Sequence, residues 1–167
     1  MRTPRILVGL AVTLGAFAGP SLAAGDRIVH GRSIGAISVD DERATIGGRL
    51  GGDGVVIART PDPTAPGNRN LDAVTVAYPS LSLTVRFPTD EASSGALSVS
   101  TRSARYRTAG GVGVGSTRAR ILAAFPRAAC TATRCQVGPR AGDPRITRFA
   151  LAGGRATRVV VFRAPAP

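Results

Sequence analysis

Lysine and tryptophan do not occur in this 167-residue chain, tyrosine occurs twice and histidine once. Each gap removes a class of function. A nucleotide phosphate loop needs Lys after its second Gly to reach the β- and γ-phosphates. In the Gly-rich run at residues 110–117, Ser116 stands at that position instead. Two Cys and a single His are too few ligands for a structural zinc site. With no Trp and few other aromatics, the stacking platforms that usually accompany strand recognition are missing, so no nucleic acid is expected. Past the N-terminus no apolar run approaches the roughly 20 residues of a membrane span. No cofactor is expected, and the core must come from Val, Leu, Ile and Ala.

What is present begins with a three-part leader. Arg2 and Arg5 form a basic head, residues 6–18 are apolar, and Gly19-Pro20 breaks the run. Ser21-Leu22-Ala23 then places small residues where a signal peptidase reads. The pattern predicts a signal peptide over 1–24, cleaved after Ala23 or Ala24, and a secreted chain. No Cys follows the cleavage region, so no lipid anchor is expected there. The remaining length suits one compact domain or two small ones.

Charge is unevenly spread. Residues 25–101 carry seven Arg against nine acids, whereas residues 102–167 carry thirteen Arg against Asp143 alone. A GC-rich genome accounts for Arg in place of Lys but not for this partition. The asymmetry points either to an anionic partner or to a solvated face that keeps the chain soluble. Arg102, Arg105, Arg107, Arg118, Arg120 and Arg127 are the candidate contacts for an acidic protein or an anionic cell-envelope polymer, and Arg134 and Arg140 continue the basic run. Arg105 and Arg107 would share a face if that segment is extended.

Cys130 and Cys135 enclose four residues, a spacing that suits a bridge across a tight hairpin in an oxidising compartment. Asp40-Asp41-Glu42 reads as acids favoured in the first turn of a helix rather than as catalytic carboxylates. His30 has no nucleophile linked to it locally.

Residues 35–46 align without a gap over 110–121, matching Gly, Arg, Ala and Ile. Asp41 and Ser116 fall in register as helix N-caps. Ile46 and Leu50 share a helix face in the first copy, as Ile121 and Phe125 do in the second. Gly51 and Pro126 then stop the helices. Strands follow in each copy, with Leu81, Leu83, Val85 and Phe87 alternating in the first and Thr147, Phe149 and Leu151 in the second. Gly153-Gly154 turns the chain into a β-branched return strand at 158–162. The expectation is an α+β fold of two helix-then-antiparallel-sheet repeats. The first spans 25–104 with a Pro-rich loop at 60–70, the second, basic one spans 105–163, and 164–167 form a disordered tail.

An apolar Gly-rich lead-in, a capped short helix ending at Leu-Gly or Phe-Pro, and antiparallel strands together resemble the repeat unit of the BamE/SmpA-like and β-lactamase-inhibitor-protein-like folds. Tyr106-Arg107-Thr108, the residues 113–117 and the Cys pair are similar to those of small secreted actinobacterial proteins with this architecture. The resemblance implies a non-enzymatic protein that binds another protein, as an assembly component or an inhibitor. The lipid-anchoring Cys of the first type is missing, as is the aromatic-rich concave surface of the second. The alternative is a small secreted hydrolase whose site joins His30 to a distant acid and Ser.

Overall fold

The computed structural model describes residues 24–61, 72–139 and 143–164. Residues 1–23 of the expected signal peptide (1–24), most of the Pro-rich loop at 60–70, Arg140, and residues 165–167 of the expected tail (164–167) lie outside the described residues.

The chain opens with three two-residue strands, β1 (Ile28–Val29), β2 (Ser33–Ile34) and β3 (Ile37–Ser38), which pair in order as a small antiparallel sheet. Helix α1 (Arg43–Leu50) follows, then β4 (Val55–Pro61), β5 (Asp72–Tyr78), β6 (Leu83–Phe87) and β7 (Ser98–Thr101). Helix α2 (Arg118–Ala124) precedes β8 (Ala129–Cys130), β9 (Arg134–Val137), β10 (Arg145–Ala152) and β11 (Arg155–Arg163).

The α+β expectation of two helix-then-sheet repeats is overturned. The fold is mostly β, with 46% of the described residues in strands and 16% helical. The eight longer-sheet strands form one continuous antiparallel sheet in the order β4-β5-β6-β7-β11-β10-β9-β8. The join is long-range. β7 pairs with β11 through Val99 opposite Val161 and Thr101 opposite Val159. Both helices are only about two turns long, so the alternating strands dominate the architecture.

Alternation explains the core. Val74, Val76 and Tyr78 stand opposite Phe87, Val85 and Leu83, and all six are buried. Val159, Val161, Phe149, Leu151, Cys135 and Val137 continue the same face. Ile46 of α1, Ile121 of α2 and Ile28, Ile34 and Ile37 of the small sheet join it in one apolar cluster. Burying side chains of this size is worth roughly 1.5–3 kcal/mol each.

The helix caps also differ from expectation by one residue. Glu42 precedes α1 without a side-chain cap, because Asp41 Oδ2 accepts from the Ser38 amide at 2.8 Å and from Arg49 at 3.0 Å. Thr117 caps α2, accepting from the Arg120 amide at 3.2 Å, while Ser116 Oγ accepts from the Gly113 amide at 3.1 Å. Gly51 ends α1 at φ 74°. Gly153 and Gly154, at φ 55° and 73°, form the turn between β10 and β11. Both positive angles match the twist of a two-residue hairpin.

Candidate binding surface on the sheet

The period of two that buries one face of the sheet sets out the other. One row across it reads Thr84, Ser100, Val160, Arg148 and Gln136 on β6, β7, β11, β10 and β9. The adjacent row reads Arg86, Ser98, Phe162 and Ile146. On the other side of the first row, Arg158, Ala150 and Arg134 stand opposite one another. This outer face therefore carries Arg86, Arg134, Arg148 and Arg158, and none of the strand positions named is a carboxylate.

Two of these arginines are fixed by neutral neighbours. Arg158 donates from NH2 to Ser100 Oγ at 2.9 Å. Arg148 donates from NH2 to Gln136 Oε1 at 3.2 Å, and its guanidinium lies 4.7 Å above the Phe162 ring. The Arg148 Nε is buried with no hydrogen-bond partner. Arg86 and Arg134 are exposed. Among the described residues, none of the four makes an ion pair.

Acids that do form ion pairs sit elsewhere. Asp26 pairs with Arg105 at 2.6 Å, Asp41 with Arg49 at 3.0 Å, and Asp40 with Arg145 at 2.9 Å and Arg163 at 3.6 Å. Asp90 meets both Arg59 and Arg43. Its hydrogen bonds from Arg59 first, and then from Arg43, hold its carboxyl below the usual carboxylate range. The Asp40-Asp41-Glu42 run thus supplies ion pairs rather than a carboxylate couple.

The six arginines singled out by the charge asymmetry differ in what holds them. Arg105 is committed to Asp26, with its Nε 2.7 Å from Oδ1, and stacks 5.0 Å above the Tyr106 ring. Arg107 braces its own loop, donating to Ala104 O at 3.0 Å and Ser116 Oγ at 3.3 Å. Arg107 and Arg120 do come together at Gly111. Arg107 NH1 is 3.5 Å from the Gly111 carbonyl, and a Cβ built on Gly111 would lie 3.0 Å from Arg120 NH2. Arg118 turns to the Cys130 carbonyl at 3.4 Å. Arg102 and Arg127 are exposed, and among the described residues no hydrogen bond ties their side chains. Three members of the outer face, Arg86, Arg148 and Arg158, were not among the sequence candidates. The signal was in the strands themselves, where each Arg alternates with buried apolar or β-branched residues.

Cys130 and Cys135 stand directly opposite each other on β8 and β9 and are bonded, with Cα atoms 4.0 Å apart. The turn between them closes through the Thr131 amide to the Arg134 carbonyl at 2.7 Å.

His30 borders an open hollow of about 430 Å³ that is also lined by Arg27, Ile28, Thr108, Ala124 and Phe125. Its Nδ1 lies 3.0 Å from Thr147 Oγ1, which also accepts from the Gly31 amide at 2.8 Å. Thr147 is fully buried, and neither a Ser nor a carboxylate lines the hollow. Among the described residues, no helix is long and apolar enough to cross a membrane. No protein family, curated protein or solved structure matches the chain, so its own residues carry the functional reading.

Proposed function

We propose that this is a non-enzymatic, exported binding protein that offers the outer face of its sheet to an anionic partner, an acidic protein or a cell-envelope polymer. One observation carries the reading. Four arginines share a face on which the strands place no carboxylate, while Asp26, Asp40, Asp41 and Asp90 are held in ion pairs with other arginines. Planar guanidinium forks pair bidentately with carboxylate or phosphate, which suits them to this role. The leader pattern and the Cys130–Cys135 pair support export.

Retention on a carboxylate-bearing matrix under a salt gradient tests the reading. Arg86→Ser/Arg134→Ser/Arg158→Ser should elute at clearly lower salt than the parent. Arg102→Ser/Arg120→Ser/Arg127→Ser removes the same charge from other surfaces and should elute closer to the parent. Equal shifts for the two triples would reduce the effect to net charge.

A further inference from the structure

We infer that the chain forms a two-fold dimer through the free edge of β4, pairing Val55-Val56-Ile57 antiparallel with the same segment of a second copy. This contact is independent of the arginine face. In the sheet order β4 is terminal, and it pairs only with β5. Its outer edge therefore presents backbone N–H and C=O groups with no strand beside them. Four large apolar side chains are exposed among the described residues, and three of them are consecutive here: Val55 at 57%, Val56 at 37% and Ile57 at 57%.

Native edge strands are blunted by charge, proline or a bulge. β4 carries Arg59 and Pro61 only toward its end. The register shift between Val56 and Ala58 leaves Ile57 without a partner in β5, so it adds an exposed aliphatic instead of shielding one. Successive strand residues point to opposite faces, so Val55 and Val56 expose apolar surface on both sides of the edge.

Symmetry and charge name the occupant as a second copy. A two-fold axis through Val56 sets Val56 opposite Val56 and Val55 opposite Ile57, and it brings Asp53 to the level of Arg59. Asp53 is exposed, makes no ion pair among the described residues and sits beside Gly47 of α1. Arg59 stands opposite buried Val74, which shares the core cluster with Ile46 of α1, so both charges are on the helix side of the sheet. The strand order also keeps the basic halves apart. Counting β4-β5-β6-β7-β11, the nearest strand of the basic half is four positions from the edge. In the dimer the two β11 strands would lie roughly 43 Å apart at about 4.8 Å per strand, which is several Debye lengths. Paired residues share a face, so the two arginine surfaces would come to the same side of the joined sheet.

Sedimentation velocity of the exported protein, from about 1 µM to about 1 mM, reads the equilibrium. One strand edge buries less than the roughly 1,200 Å² of a standard interface, so the dimer should be weak, with a Kd on the order of 10–100 µM. Ile57→Lys, at an exposed residue outside the β4–β5 ladder, should raise that constant about tenfold or more. Val56→Cys should give a disulfide-linked dimer under mild oxidation, because paired strand residues have Cα atoms about 4.5–5.5 Å apart. Cys130 and Cys135 are already bonded to each other and do not compete. Thr60→Cys, exposed on the same strand but opposite Gly52 in this register, should cross-link clearly more slowly. A parent that stays monomeric throughout overturns the dimer, as does an equilibrium that Ile57→Lys leaves unchanged. Equal cross-linking at positions 56 and 60 refutes the pairing. Should Ile57→Lys misfold, the comparison of the two Cys variants decides alone. A monomeric parent that instead binds a synthetic Val-Val-Ile strand peptide would show that the edge takes a foreign strand, and self-pairing would be wrong.

Discussion

Tyr106 ties together parts of the chain that are distant in sequence, and replacing it with Phe isolates one of those ties. The side chain is 1% exposed and the largest fully buried one among the described residues. Its hydroxyl donates to the Leu81 carbonyl at 2.7 Å, in the short turn between β5 and β6. The ring edge sits against Gly35, where an added Cβ would be 3.0 Å from Cε1. Tyr106→Phe keeps the ring and removes only the hydrogen bond, whose net worth is about 1 kcal/mol. For a urea slope of about 2 kcal/mol/M, that lowers the unfolding midpoint by about 0.5 M with the slope unchanged. Tyr106→Ala also leaves a cavity and should cost about 3–5 kcal/mol. A Phe variant with an undiminished midpoint would mean that the hydroxyl contributes no net stability.

The same phenol has a pH signature. Burial, chiefly, raises the Tyr106 pKa above 10.0, opposed by Arg105 and helped by Asp26. Tyr78 is raised too, first by burial, and its hydroxyl is buried without a partner. A folded-state value above the unfolded one means that the native fold disfavours the phenolate. The resulting stability is complete below about pH 10 and is lost as pH rises through the folded value. Tyr106→Phe and Tyr78→Phe should each flatten the alkaline fall of the urea midpoint. An alkaline limb unchanged in the double Phe variant would refute the assignment to these two groups.

Reduction of Cys130–Cys135 should lower stability by about 2 kcal/mol, the loop-closure value for so short a ring, and intact mass should rise by two hydrogens. Gly48→Ala, in α1 with nothing within 4 Å of the added Cβ, should stabilise by about 0.5–1 kcal/mol. Gly113→Ala should destabilise, because its Cβ would lie 2.3 Å from the Tyr106 carbonyl oxygen, and thermal melts of the pair should move in opposite directions. Asp90, held low by Arg59 and then Arg43, contributes stability above its unfolded value that is lost as pH falls through the lower folded one. Asp90→Asn should accordingly narrow the difference between urea midpoints at neutral and strongly acidic pH.

Local structure was legible where one residue type has one physical use. Gly153-Gly154 announced the β10–β11 turn, the spacing of Cys130 and Cys135 announced a hairpin bridge, and Gly51 marked the end of α1. The caps slipped by one residue because Asp41 and Ser116 had nearer partners in the amides of Ser38 and Gly113. Short polar side chains satisfy local turns as readily as helix ends, and periodicity cannot rank the two. The small sheet escaped notice because two-residue strands carry no alternation to read. The β7–β11 pairing, which merges everything into one sheet, joins segments far apart in sequence and leaves no mark in either.

The charge asymmetry was real in the sequence, but folding redistributes it from halves to faces. Arg105, Arg145 and Arg163 belong to the basic half, yet they pair with Asp26 and Asp40 of the acidic one. Those contacts spend part of the basic excess on joining the two ends of the chain. Arg86 belongs to the acidic half, yet it lies on the same face as Arg148 and Arg158 because β6 reaches β11 through β7. Counting charge along the chain and reading strand parity therefore select different arginines: Arg86 and Arg148 each stand between buried residues of the core face, and Arg158 stands next to buried Val159. Arg86, Arg134 and Arg158 are exposed, and Arg148 is half-buried between neutral neighbours. The fold neutralises several arginines elsewhere and leaves these bare. That selective omission, rather than the total of basic residues, is the observation on which the proposed binding face rests.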